Sequence, residues 1–225
     1  MQLIYSRDMQ IETIFFDLDG TLYDDSSGLW ELLLDRIHLF MREEVGIREK
    51  DIDGLRQEYL ATYGTTLRGL HIHYQVDPQV YLEYVHQIPV EERIKPNPAL
   101  EGMLQQLPQA KWIWTNASAG HAERVLKALG VRGYFRGIID IQAMKYLNKP
   151  HMAAYTVALE TAGQLEVGKC LFVDDRIVNL EPADKLGGTT AWVGTLEPNP
   201  VATISIAKVE DLLTAIPNLA GSEHV

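Results

Sequence analysis

Ile11-Glu12-Thr13-Ile14-Phe15-Phe16-Asp17-Leu18-Asp19-Gly20-Thr21 is the stretch on which the fold turns. The apolar residues at 11, 14, 15 and 16 read as a buried strand, and a polar turn follows without a break. Open α/β sheets bind ligands outside the carboxyl ends of their strands. Asp17 and Asp19 stand at such an end. Residues i and i+2 share a direction only while a strand lasts. Once Gly20 turns the chain, Asp19 can curl over the point at which Asp17 is aimed. Two carboxylates so close repel unless a cation lies between them or one keeps its proton. Taken alone, the same residues also fit a solvated turn with a helix cap.

Further short apolar runs lie at 112–114, 137–141, 170–173 and 190–193. Helical patterns fall between them: Ala119–Leu129 with Gly130 as a stop, and 150–161 with Pro150 at its first position and Gly163 beyond. Short strands alternating with helices of this length predict an α/β, Rossmann-like parallel sheet. One region breaks the alternation. Residues 24–95 carry no strand pattern. Ser26 or Ser27 can cap a helix in which Leu29, Leu33, Ile37 and Phe40 recur at helical spacing, and 51–63 and 77–87 also read as helices. Pro89, Pro96 and Pro98 punctuate the return. The expected organisation is an α/β core from 1–23 and 96–225, with a helical insertion at 24–95. After Glu197-Pro198-Asn199-Pro200 a last strand and helix are expected, with 221–225 frayed.

With 46% hydrophobic and 23% charged residues in a chain of 225, the composition is that of a globular domain and excludes a disordered one. Twenty Lys+Arg against 31 Asp+Glu give a net charge of −11, which disfavours nucleic acid as a partner. A site for an anionic substrate must therefore reverse that sign locally. The single cysteine, Cys170, excludes an internal disulfide framework and a multi-Cys zinc site. No apolar run reaches the ~18 residues of a membrane span. Residues 1–10 offer only Leu3-Ile4-Tyr5, too short for a signal peptide. The expectation is a soluble cytoplasmic protein, monomer or homodimer, with no membrane partner.

Three more strand ends carry polar clusters. Thr115-Asn116-Ala117-Ser118 meets a helix start, where free N–H groups suit an anion. Lys149 precedes Pro150. Asp174-Asp175 ends a strand, with Asn179 one turn on, and oxygen ligands of this kind suit a hard cation such as Mg²⁺. Each cluster has a plain reading as a cap or a solvated side chain. Four at four strand ends argue against four independent caps.

In this order the clusters resemble the haloacid dehalogenase (HAD) superfamily: Asp17-Leu18-Asp19-Gly20-Thr21, then Thr115, then Lys149-Pro150, then Asp174-Asp175. The insertion after the first motif looks like that family's C1-type cap. The resemblance implies covalent phosphoryl transfer. Asp17 would attack phosphorus and form an aspartyl-phosphate. Asp19 would protonate the leaving oxygen and later deprotonate water. Mg²⁺ would be held by the Asp17 carboxylate, the Asp19 backbone carbonyl and the last acidic pair, Asp175 directly and Asp174 directly or through water. Asn179 would support the metal's surroundings. Thr115 and Lys149 would hold the transferring oxygens, and Thr21 would orient the first loop. Asp19 also distinguishes the chain from the dehalogenases, which lack this second Asp because a halide leaves without a proton.

Leu22-Tyr23, Tyr63-Gly64-Thr65-Thr66-Leu67-Arg68-Gly69-Leu70, Thr115-Asn116-Ala117 and Lys149-Pro150-His151 are similar to the pyrimidine 5′-nucleotidase branch. That implies a small phosphomonoester substrate, a nucleoside 5′-monophosphate with pyrimidines preferred. Asn116, Arg68, Tyr23 and Tyr63 are its expected contacts. Arg68 offers a planar fork for a base or ribose oxygen, or pairs with a cap carboxylate instead. Gly69 is read as letting a turn form beside it. A phosphatase or phosphomutase for sugar phosphates or phosphoglycolate is the alternative. A catalytically silent binding protein of this fold would show a broken motif, and none is broken. His71 and His73 lack a third ligand and read as cap packing. Trp112 and Trp114 read as core, and Cys170 as inert.

Overall fold

The structure is a computed structural model that describes residues 10–220. The readings of the Leu3-Ile4-Tyr5 patch and of 221–225 fall outside those residues. Six strands form one parallel sheet: β1 (Thr13–Phe16), β2 (Ala110–Trp114), β3 (Gly137–Ile139), β4 (Cys170–Asp174), β5 (Thr189–Val193) and β6 (Ile204–Ile206). Their order is β3-β2-β1-β4-β5-β6, so the winding reverses at β1. Every residue of β1 is buried, because helices cover both faces and leave no polar side to the strand. Phe15 stacks on Phe172 at 5.2 Å. Phe16 pairs in register with Ile113 on one side and Val173 on the other. The residues that follow, Asp17 and Asp174, thus emerge side by side at the reversal, where such sheets open a crevice.

Between β1 and β2 run α1 (Leu29–Glu43), α2 (Glu49–Tyr63), α3 (Thr66–Tyr74), α4 (Pro78–Val85), α5 (Val90–Arg93) and α6 (Pro98–Gln106), with no strand among the described residues there. Leu29, Leu33, Ile37 and Phe40 form the buried face of α1. Phe40 meets Tyr81 and Tyr84 edge-on at 5.1 and 5.3 Å. The helices α7 (Ala119–Leu129), α8 (Met152–Ala162), α9 (Ile177–Lys185) and α10 (Leu212–Ala215) complete the α/β layer. No helix among the described residues is long and apolar enough to cross a membrane.

Local chemistry corrects three expectations. Gly28, at φ 67°, takes the N-cap position of α1 with no side-chain cap, while Ser27 Oγ accepts from Leu29 N at 3.2 Å. Helix α8 starts at Met152 and is capped by His151, whose ring nitrogen accepts from Ala153 N; Pro150 stays in the preceding loop behind a cis bond to Lys149. Gly69 lies inside α3, not in a turn. Its role is close approach: a Cβ there would stand 2.1 Å from Tyr59 Cγ.

Candidate active site

Asp17 leaves β1 with its N–H on Val173 O at 2.9 Å, which fixes its backbone to the end of β4. Its Oδ1 accepts from Lys149 Nζ at 2.8 Å, and Thr21 donates to Oδ2 at 3.4 Å. Lys149 is 1% exposed and spans two acids, with Nζ 2.7 Å from Asp174 Oδ2. Nζ also lies 5.0 Å from the centre of the Trp114 ring. Burial works against the ammonium, but Asp17 and Asp174 outweigh it and raise its pKa. The loop that presents Lys149 is held by Asn116. Its side chain donates to Lys149 O at 3.1 Å and accepts from Lys149 N at 2.8 Å. Asn116, expected as a substrate contact, is thus also the clamp of the lysine loop, and it lines the cavity.

The acidic pair divides its work. Asp174 is saturated: Arg176 N donates to Oδ1 at 2.9 Å, and Asn179 donates to both oxygens at 3.0 and 3.1 Å. Asp175 is tied through its backbone, its N–H on Thr21 Oγ1 at 3.1 Å and its carbonyl taking Trp192 Nε1 at 2.8 Å. Its Oδ1 is buried with no partner. Burial and then Asp174 push its pKa up to about 7. Burial likewise raises Asp17 well above the usual carboxylate range, against the pull of Lys149. Asp17, Asp174 and Asp175 present oxygens within 4.8 Å of one another. Lys149 reaches two of these three acids, and Oδ1 of the third, Asp175, is buried with no donor. Such a set fits a hard divalent cation.

Asp19 sits across the Gly20 turn, where φ is 86°. His121 Nε2 lies 2.8 Å from its Oδ1, and the Tyr23 hydroxyl donates to the same oxygen. Burial opposes the charge of Asp19, yet His121 and Tyr23 hold its pKa below the usual value. Thr115, at the end of β2, is 1% exposed and turns Oγ1 to Ala117 N at 3.0 Å. Thr115 lines the same cavity as Asp17 and Asp19.

The structure does not bring Arg68 and Tyr63 to that cavity. Arg68 donates to Tyr146 O at 3.1 Å, and the Tyr63 hydroxyl bonds His73 Nε2 at 2.8 Å. The segment 63–68 instead fastens the insertion to the lysine loop. Asn148 donates to Tyr63 O at 2.9 Å, Thr65 donates to Asn148 Oδ1 at 3.4 Å, and Arg176 reaches Gly64 O at 3.4 Å. Gly64, at φ 83°, is pressed against Asn148 and Pro150. Tyr23 serves Asp19. His73 stacks on Tyr59 at 5.3 Å and His71 bonds Val76 O, so both are packing groups. Burial pushes the Cys170 thiol up to about 12.

The insertion's wall of the cavity is largely apolar, with Trp30, Leu33, Ile37, Leu60 and Tyr81; Thr65, Thr66 and His86 are its other polar side chains, and it carries one arginine, Arg56. Arg56 NH1 lies 3.1 Å from His38 Nε2, and its buried Nε has no partner. Sequence reasoning missed Arg56, His121 and His86. A histidine in the first turn of the helix after Thr115 was a legible signal for His121. Arg56 and His86 gave none, because their neighbours come from distant segments.

The model of the haloacid dehalogenase-like hydrolases matches residues 11–187. The chain belongs to that family. Phosphate metabolism protein 8 of Saccharomyces cerevisiae is 26% identical over 190 residues, 78% of this chain; the chain spans 59% of that relative's length. Among solved structures, the HAD-hydrolase YfnB from Bacillus subtilis bound to magnesium superposes with TM-score 0.63 at 18% identity, over 92% of this chain and 99% of that one. L-2-haloacid dehalogenase from Xanthobacter autotrophicus gives 0.60 at 19% identity, over 93% and 100%. These structures share the HAD fold with this chain. The resemblance read from the four motifs is thus right for the superfamily, and the parallel α/β sheet is as expected.

Proposed function

We propose that this HAD hydrolase is a Mg²⁺-dependent phosphatase that hydrolyses nucleoside 5′-monophosphates, pyrimidines preferred, through an aspartyl-phosphate. The observation that carries phosphoryl rather than halide chemistry is Asp19. It lines the same cavity as Asp17, with one oxygen held by two donors. A halide leaves without a proton, whereas an alkoxide leaving group needs one. The name of the yeast relative, which ties that protein to phosphate metabolism, agrees with this reading.

The proposed chemistry runs through this chain's own side chains. Asp17 attacks phosphorus as the ester P–O bond breaks, and Asp19 passes a proton to the departing oxygen. Water then attacks the acyl phosphate, Asp19 takes back its proton, and phosphate leaves with Asp17 restored. Asp19 rests ionised in the free protein, and the negative charge of an arriving phosphate favours its protonation. Lys149 aligns Asp17 and offsets charge on the transferring oxygens, with Thr115 beside them. A Mg²⁺ bound by Asp17, the Asp19 carbonyl, Asp175 and, directly or through water, Asp174 supplies further counter-charge to the phosphoryl group.

For the rest of the substrate, the apolar wall with a single Arg favours a flat heterocycle bearing a carbonyl over a polyhydroxylated sugar. Arg56 takes the role that the sequence suggested for Arg68. Turnover of UMP, CMP, a hexose phosphate and phosphoglycolate, with and without Mg²⁺, tests the proposal. Preference for the sugar phosphate or phosphoglycolate would replace the nucleotide reading. No turnover of any phosphomonoester would favour a silent binding protein.

A further inference from the structure

His121 is a buried titratable group that the chemistry above does not use. It stands in the first turn of α7 with its side chain wholly buried. A packed core histidine normally satisfies both ring nitrogens. Here Nδ1 has no partner, and the ring's one hydrogen bond goes from Nε2 to Asp19 Oδ1. An ionised carboxylate has no proton to give, so Nε2–H is the donor.

The ring is itself held in place. It stacks on His86 at 4.5 Å with 17° between planes. Ser118 Oγ, the cap of α7, lies 2.9 Å from His86 Nδ1 and accepts from His121 N at 3.4 Å. Burial, with His121 next, brings the pKa of His86 down to about 3, so the stack is not two cations face to face. The Tyr23 hydroxyl donates to the same Oδ1 from the opposite direction in sequence, four residues after Asp19. Both donors converge on one oxygen. The other, Oδ2, makes no hydrogen bond to the described protein groups, and Asp19 borders the cavity.

We propose that His121 is a positioning residue for Asp19: with Tyr23 it fixes rotation of the carboxylate so that Oδ2 alone faces the leaving oxygen. His86, which arrives from the insertion, sets the plane of the His121 ring. This rests on the phosphatase reading and assigns that reaction a residue outside its four motifs. Removing the donor frees the carboxylate to rotate. That harms proton delivery most where the leaving group most needs a proton.

The experiment measures kcat/KM for phosphomonoesters of increasing leaving-group basicity, from p-nitrophenyl through phenyl to alkyl phosphates, in the Mg²⁺-loaded full chain. In His121→Leu the loss should grow along the series, so that the p-nitrophenyl to alkyl ratio rises by about tenfold or more, within the range of general acid catalysis. His121→Gln keeps an N–H donor near the Nε2 position and should recover most of that ratio. Tyr23→Phe, which leaves the buried stack alone, should shift it in the same direction by less, and it carries the test if His121→Leu does not fold. An equal loss on every substrate, or no recovery in His121→Gln, overturns the positioning role and leaves the phosphatase reading standing. A wild-type chain inert to the whole series overturns both.

Discussion

The two walls of the cavity are made of opposite chemistry. The sheet side is a web in which Lys149 bridges Asp17 and Asp174, Asn179 holds Asp174, and Asn116 holds the lysine loop. The helical side is Trp30, Leu33, Ile37, Leu60 and Tyr81 around one arginine. In the proposed reaction the first wall handles the phosphoryl group and is indifferent to what that group is attached to. The second brings few polar groups, and its proposed part is to select. Reaction and selectivity should therefore be separable by mutation, apart from the few residues that join the walls.

The strongest way to break this comparison is at Asp17. Asp17→Asn is nearly isosteric and removes the proposed nucleophile. Turnover of every substrate should fall at least about a thousandfold while the chain stays folded. Steady-state assays and circular dichroism check both halves, and near-wild-type turnover would end the covalent mechanism. Metal removal comes next. Excess EDTA should abolish hydrolysis of nucleotide and generic substrates alike, because three clustered acids then face a phosphate with too little positive charge beside them, Lys149 being already shared between Asp17 and Asp174. Full activity in EDTA would remove the metal from the scheme.

The helical wall predicts a different pattern. Arg56→Ala should lower kcat/KM for UMP about ten- to a hundredfold, the scale of a charge-assisted hydrogen bond. It should spare p-nitrophenyl phosphate, which lacks that partner. Arg68→Ala removes a contact to Tyr146 O instead and should affect both substrates equally. Assaying the two variants side by side on both substrates sharpens the comparison, and a reversed pattern would return the selective role to Arg68.

Where the walls join, Gly64→Ala should destabilise by about 1–3 kcal/mol. The backbone there has φ 83°, and a Cβ would meet Asn148 Nδ2 at 2.6 Å and Lys149 O at 2.9 Å. Urea denaturation measures this. The smallest effect, read between neutral pH and about pH 6, is a pH dependence at His86. Its pKa is 6.5 in the unfolded chain and about 3 when folded, so below 6.5 the unfolded chain binds a proton that the fold refuses. Its contribution to stability therefore falls as pH drops through that window and is level above it. The urea midpoint of His86→Gln should accordingly lose less than that of the wild type between neutral and acid pH.

Legibility followed the distance over which an interaction acts. Ile11 to Thr21 shows its strand, its turn and its two acids because the apolar run, the glycine and the carboxylates are neighbours in the chain. Thr115, Lys149 and Asp175 were readable in the same way, each at the end of a short apolar run or before a proline. Arg68 was a different kind of reading. A polar residue in a distinctive cap segment looked like a substrate contact, but nothing local indicates which way a helix face turns. The structure turns that face toward the 146–150 loop.

By itself the sequence determined the α/β class, the helical insertion after the first strand and which polar groups meet at the strand ends. Strand periodicity and turn chemistry are local, and a parallel sheet delivers its strand ends to one edge whatever the details. Only the tertiary structure decided that Asp174 is spent on Lys149 and Asn179 while Asp175 keeps an oxygen free, that Arg56 rather than Arg68 borders the cavity, and that His121 holds Asp19 across 102 residues of chain. Those outcomes depend on which of several nearby donors reaches an oxygen first in a packed interior. Packing of helices far apart in sequence sets that competition, and no window of neighbouring residues contains it.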